Sequence, residues 1–124
     1  MHKEGRRGVL HAVDAFVFSM KGLRTAWADE TAFRLQCALL VPLVPLAFLI
    51  ARSAVELSLL LGACGLVLMA EMFNSAIERL VDRVSTDIHP LSGQAKDLGS
   101  AGVFIAMMLF LVVWLPIGWA SLRA

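Results

Sequence analysis

The chain has 124 residues, enough for one domain, and 59% of them are hydrophobic, more than a domain this small can hide from water. Its net charge of +1 comes from scattered rather than clustered basic residues, which argues against a nucleic-acid partner. Lipid is the natural alternative solvent for such a composition.

The N-terminal stretch "MHKEGRRGVLHAVDAF" does not read as a secretory signal, because Asp14 interrupts the apolar core that a signal needs. Val9, Leu10, Val13, Phe16, Val17 and Met20 instead recur on one helical face, with His11, Asp14 and Lys21 off it. That pattern predicts an amphipathic helix over residues 8–27, too polar to span and suited to lying on a membrane surface. Packing against other protein is the alternative.

Three apolar stretches follow. Residues 37–51, "CALLVPLVPLAFLIA", and residues 57–70 are both shorter than the roughly 20 residues of helix a bilayer core requires. Each reaches that length by borrowing from a polar flank, residues 30–36 and 71–77, which predicts spans over 29–51 and 54–83. The link "RSAVE" allows only a tight reversal, so Glu30 and Glu71 are expected at the same membrane face. Pro42 and Pro45 predict a bent or irregular first span. Residues 98–122 are uncharged throughout and predict a third span over 92–122. Cys37 and Cys64 sit in apolar runs without metal-type neighbours and read as buried free thiols. The expected fold class is therefore all-α: three transmembrane helices and an N-terminal surface helix in a single domain.

Lys3, Arg6, Arg7, Lys21, Arg24 and Arg34 flank the N-terminal side, and Arg79, Arg83 and Lys96 the loop between the second and third spans. Arg52 and Arg123 stand almost alone at the other face. The positive-inside rule places the N-terminus in the cytoplasm and the C-terminus outside.

The run "EMFNSAIERLVDR" changes the character of the second span. At about 100° per residue, Glu71, Asn74, Ser75, Glu78 and Asp82 share one helix edge, starting where hydrocarbon ends. Like charges at this spacing repel by a few tenths of a kcal/mol per pair in water, and by more at an interface. Two arrangements offset that repulsion: a salt-bridge network with Arg34, Arg79, Arg83 and Lys96, or a divalent cation. Hard oxygen ligands suit Mg²⁺, which takes one or two carboxylates plus substrate phosphates. Glu71 is the more telling acid, since a carboxylate at the rim of a span is costly and usually functional, and is suited to act as a base.

In "STDIHPLSGQAKDLGSAG", residues 85–102, Pro90 and Gly93 make a turn, and His89 and Lys96 supply donors. Asp97 and Ser100 open the third span. His89 before a proline is equally a turn residue, and Lys96–Asp97 equally an interfacial anchor. No P-loop, no GxGxxG ahead of a helix and no kinase HRD or DFG set is present. The pattern alone defines a membrane protein with an acidic interfacial site and stops short of a reaction.

Three blocks go further. "KGLRTAWADETAFR" (residues 21–34), "EMFNSAIERLVDRV" (71–84) and "HPLSGQAKDLGSA" (89–101) resemble, in order and spacing, the signature blocks of the bacterial integral-membrane diacylglycerol kinases. The resemblance runs from about Val9 over nearly the whole chain. It implies a helix-bundle homotrimer with active sites shared between subunits, and MgATP-dependent phosphorylation of sn-1,2-diacylglycerol to phosphatidate at the cytoplasmic face of the inner membrane. By this resemblance Glu71 is the general base, Glu30 and Glu78 hold the metal that bridges the ATP phosphates, and Asn74 helps organise the site. Asp87, Ile88, His89, Lys96 and Asp97 engage the nucleotide together with Glu30, Glu78, His11 and Phe18. Ser100 faces the lipid with Glu71, and Arg24, Thr25, Ala26 and Trp27 border the lipid entrance. Three departures stand out: His11 where an arginine is frequent, Phe18 where a tyrosine is common, and Leu35–Gln36 in place of a polar-acidic pair. The alternatives are a kinase for undecaprenol or another lipid alcohol and, in a different class, a small transporter or channel subunit.

Overall fold

The computed structural model describes residues 2–84 and 86–124; Met1, Ser85 and the side chains of residues 2–4, Lys3 among them, lie outside the description. Four helices follow one another: α1 (His2–Asp29), α2 (Thr31–Ile50), α3 (Ala54–Val84) and α4 (Pro90–Leu122). By length and composition, α2, α3 and α4 are each able to cross a membrane.

The joint between α1 and α2 is a single residue. Glu30 takes an extended backbone conformation, φ −107° and ψ 105°, yet its N–H still reaches the Ala26 carbonyl at 2.9 Å. Its own carbonyl accepts from Arg34 at 3.2 Å, so the helix changes direction without a loop. Arg34 stabilises the corner: its Nη1 donates to the Trp27 and Ala28 carbonyls at 2.8 and 3.0 Å. Those carbonyls belong to the last turn of α1, where a cation satisfies acceptors that the ending helix leaves open.

The irregularity expected at Pro42 and Pro45 does not interrupt α2, which runs from Thr31 to Ile50 with both prolines inside. At the far end the chain reverses over Arg52 and Ser53. Ser53 Oγ accepts from the Glu56 N–H at 3.1 Å, while Glu56 reaches back to accept from the Arg52 N–H at 2.7 Å. This reciprocal pairing is a form of capping box and fixes the start of α3. Pro90 opens α4 behind His89, whose Nδ1 accepts from the Leu91 N–H at 3.1 Å.

The core lies toward the α2–α3 corner, where Ala47, Leu60, Ala63, Cys64 and Trp114 are buried together. Small side chains at 47, 63 and 64 let the backbones approach, as helix packing in lipid favours. Trp114 stacks on Phe110, with ring centroids 5.2 Å apart, and donates its indole N–H to the Leu60 carbonyl at 3.2 Å. That bond ties α4 to α3, the most closely packed pair; α2 lies mainly against α3. Both cysteines are free, Cys64 buried and Cys37 partly so. Large apolar residues elsewhere on the spans, such as Val41, Leu49, Phe104 and Val112, face outward. On α1, Val9, Leu10, Val13, Phe16, Val17 and Met20 are all exposed, so no other helix of the chain covers that face.

Candidate active site at the rim of the second span

α3 carries its acidic edge through its last four turns. Glu71, the first acid, is half-buried; it lies against the Gln36 amide from α2 and feels the charges of Glu78 and Glu30. One turn on, Asn74 donates from Nδ2 to Glu78 Oε1 at 3.3 Å. Further along, Asp82 pairs with Lys96 Nζ of α4 at 2.7 Å, and Lys96 also senses Glu78. From the α1–α2 corner, Glu30 meets Arg79 of α3, with Nη2 at 3.0 Å and Nε at 3.4 Å; Asp29 joins the same guanidinium at 3.5 Å.

Of the cations expected to offset the acidic edge, Lys96 pairs with Asp82 on it, whereas Arg79 pairs with Glu30 and Asp29 at the α1–α2 corner and Arg34 turns to the α1 carbonyls. Neither Glu71 nor Glu78 has an ion-pair partner among the described residues; their closest polar neighbours are the neutral amides Gln36 and Asn74. Two amide oxygens here are buried without a hydrogen-bond donor, Gln36 Oε1 and Asn74 Oδ1. Such a group costs about 1–3 kcal/mol, so native structures leave few of them.

Below this rim, a cavity of about 370 Å³ opens between α2, α3 and α4. Gln36 forms its polar end and Leu39, Leu43, Val67, Leu68 and Met108 much of its apolar wall. The chain therefore sets acids directly above a space that suits hydrocarbon.

Glu30, Glu71, Asn74, Glu78 and Lys96 accordingly gather at one end of the bundle. The other candidate residues lie on α1, in the turn before α4 and on the first turns of α4. His11 and Phe18 are exposed on α1, Phe18 beneath Lys21 Nζ at 5.5 Å from its ring centre. Asp87 and Ile88 lie in the exposed turn, and His89 uses Nδ1 as the cap of α4. Asp97 and Ser100 are exposed on α4; Arg24, Thr25 and Trp27 are exposed on α1, and Ala26 is buried. Among the described residues no group of three or more His, Cys, Asp or Glu side chains is assembled as a metal site. The donors that do gather are all carboxylate oxygens, the kind Mg²⁺ takes, and one or two suffice when phosphates complete its shell. The residues present therefore fit the ion.

Sequence reasoning missed Asp29, which shares Arg79, and Gly99, whose bare Cα faces the Asn74 carboxamide. A glycine inside a helical pattern was the one signal for the latter.

Three helices long and apolar enough to cross a membrane, one of them with an acidic rim, point to an α-helical membrane protein. The prokaryotic diacylglycerol kinase family matches residues 17–117. Diacylglycerol kinase of Haemophilus influenzae is 43% identical over 107 residues, covering 86% of this chain and 91% of that one. The Pseudomonas aeruginosa diacylglycerol kinase is 43% identical over 114 residues, 92% and 93% of the two chains, and that of Escherichia coli K12 is 39% identical over 113 residues, 91% and 93%. The chain belongs to the prokaryotic diacylglycerol kinase family, and is an enzyme of the kinase class.

Proposed function

We propose that the chain transfers the γ-phosphoryl group of MgATP to the free hydroxyl of sn-1,2-diacylglycerol, forming phosphatidate and ADP at the cytoplasmic face of the inner membrane. The observation that carries this reading is the position of Glu71: half-buried, next to Glu30 and Glu78, at the point where an apolar span becomes acidic. A diacylglycerol lies with its chains in hydrocarbon and its hydroxyl at that level.

In this reading Glu71 takes the proton as the hydroxyl oxygen attacks the γ-phosphorus, and the bond from that phosphorus to the bridging oxygen of ADP breaks. Phosphoryl transfer asks mainly for positioning and charge neutralisation. Mg²⁺, when bound, supplies that neutralisation on the phosphates. Glu30 and Glu78 would hold it, with Asn74 steadying Glu78 through the 3.3 Å bond from its amide. Arg79, now paired with Glu30, keeps that carboxylate at the corner facing α3. Lys96 and Asp97 at the start of α4 and the 87–89 turn engage the nucleotide. The Gln36 amide orients Glu71, and its Oε1, buried without a donor at the polar end of the cavity, is an acceptor that a substrate hydroxyl would satisfy.

His11 and Phe18 are exposed three or more turns before Glu30 on α1, which presents an uncovered apolar face, while the 24–27 segment leads directly into the Glu30 corner. Both features suit a homotrimer in which α1 lies on the membrane surface and one subunit completes the site of its neighbour.

A panel of purified lipid alcohols incubated with labelled ATP, with and without Mg²⁺, tests the reading. Mg²⁺-dependent formation of phosphatidate is expected. Faster turnover of undecaprenol would reassign the substrate, and ATP consumption indifferent to any lipid would return the chain to the transporter class.

A further inference from the structure

The Asn74 carboxamide is gripped at both ends. Its nitrogen faces the Glu78 carboxylate at 3.3 Å, and its oxygen is turned the other way, buried and without a donor. What the oxygen meets is the bare backbone of Gly99 in α4: a β-carbon at position 99 would lie 2.5 Å from Asn74 Oδ1 and 3.5 Å from its Cγ. The next neighbour, Ile77 Cδ1 at 3.6 Å, would be in ordinary contact, so the collision is with the carboxamide alone. Gly102, one turn further along α4, would meet nothing within 4 Å.

We propose that Gly99 is a positioning residue of the phosphotransfer site: by lacking a side chain it lets α4 close on α3 at Asn74 and locks the carboxamide with its nitrogen toward Glu78. The inference rests on the reading of Glu78 as a metal-holding acid. Turning the amide over would set its oxygen against the Glu78 carboxylate, which two acceptors oppose. The donor end is therefore assigned by Glu78 and the acceptor end is confined by Gly99. A methyl group at position 99 forces one of two outcomes. Either Asn74 rotates and releases Glu78, or α4 backs away and draws Lys96, one turn before Gly99, off Asp82. Both disturb the same acidic edge. Alanine is otherwise the better helix former at an interior position, so the sign of its effect reports whether the collision is real.

Gly99→Ala and Asn74→Ala, singly and combined in the full chain in detergent micelles, supply the test. Gly99→Ala alone should lower the melting temperature and raise the Mg²⁺ concentration for half-maximal diacylglycerol phosphorylation by roughly tenfold, the loss typical of a missing outer-shell partner. The KM for diacylglycerol should stay unchanged, and Gly102→Ala should leave the Mg²⁺ titration as it was. Added to Asn74→Ala, where no carboxamide remains to be struck, Gly99→Ala should raise the melting temperature. An equal fall in melting temperature in both backgrounds, an unshifted Mg²⁺ titration for Gly99→Ala, or an equal shift for Gly102→Ala would overturn the proposal. If the parent protein phosphorylates no lipid, the functional reading fails by itself, and the melting cycle still decides the contact between Gly99 and Asn74.

Discussion

The two ends of α3 treat a glutamate in opposite ways. At the entrance, Glu56 accepts the Arg52 N–H at 2.7 Å and the Arg52 guanidinium at 3.2 Å, while its own N–H is taken by Ser53. Every partner lies within four residues. Near the exit, Glu71 and Glu78 have neutral amides beside them and each other's charge nearby. A carboxylate that serves only structure is matched with a cation and backbone donors from its own turn. Glu71 and Glu78 are held in place with no cation paired to them among the described residues, so an incoming cation has something to offset.

The largest effect that sharpens this contrast is expected from Glu71→Gln. Loss of a base commonly costs about 10²–10⁴ in rate, and turnover should fall by that much while assembly and MgATP binding persist. An active Gln variant, read by phosphatidate formation, would remove Glu71 as the base. Glu78→Gln comes next. It should shift the Mg²⁺ titration by at least the roughly tenfold that losing an outer-shell partner costs. An unchanged titration would make Glu78 a structural acid like Glu56 and break the comparison.

The acidic edge was legible in the sequence because a helix repeats its faces every three or four residues, so Glu71, Asn74, Glu78 and Asp82 could be aligned without any tertiary information. The three long apolar helices were legible because long uncharged runs have few uses outside lipid. The partners of that edge were not. Arg79 finds Glu30 across 49 positions, and Gly99 meets Asn74 across a turn and a helix; both contacts depend on the register between helices, which periodicity does not encode. The break near Glu30 was legible to within two residues, since the surface helix was bounded at 27 and the first span at 29; that a single residue makes the joint was not. No proline or glycine stands there, and the helical pattern continues on both sides while the backbone opens at one residue. His11 and Phe18 carry the reverse lesson: their roles come from resemblance alone, and a single chain leaves them apart from the acids.

A smaller effect should come from Glu78→Leu. Removing one acid from a stacked set relieves repulsion of a few tenths of a kcal/mol per neighbour, so this variant should melt slightly higher than the parent while losing activity. A lower melting temperature would mean that Glu78 holds the fold together, as Glu56 does at the other end.

The smallest change in function is expected at Glu56 itself. Glu56→Gln keeps an oxygen near the Arg52 N–H but loses the charge that draws in the guanidinium, so the corner before α3 should loosen. Because the corner lies at the opposite end of the spans from Glu71, the melting temperature should fall modestly while the Mg²⁺ titration and turnover stay those of the parent. If Glu56→Gln instead slowed turnover without touching stability, the two ends of α3 would be coupled through the helix. The division between a saturated structural acid and an under-neutralised working one would then have to be abandoned.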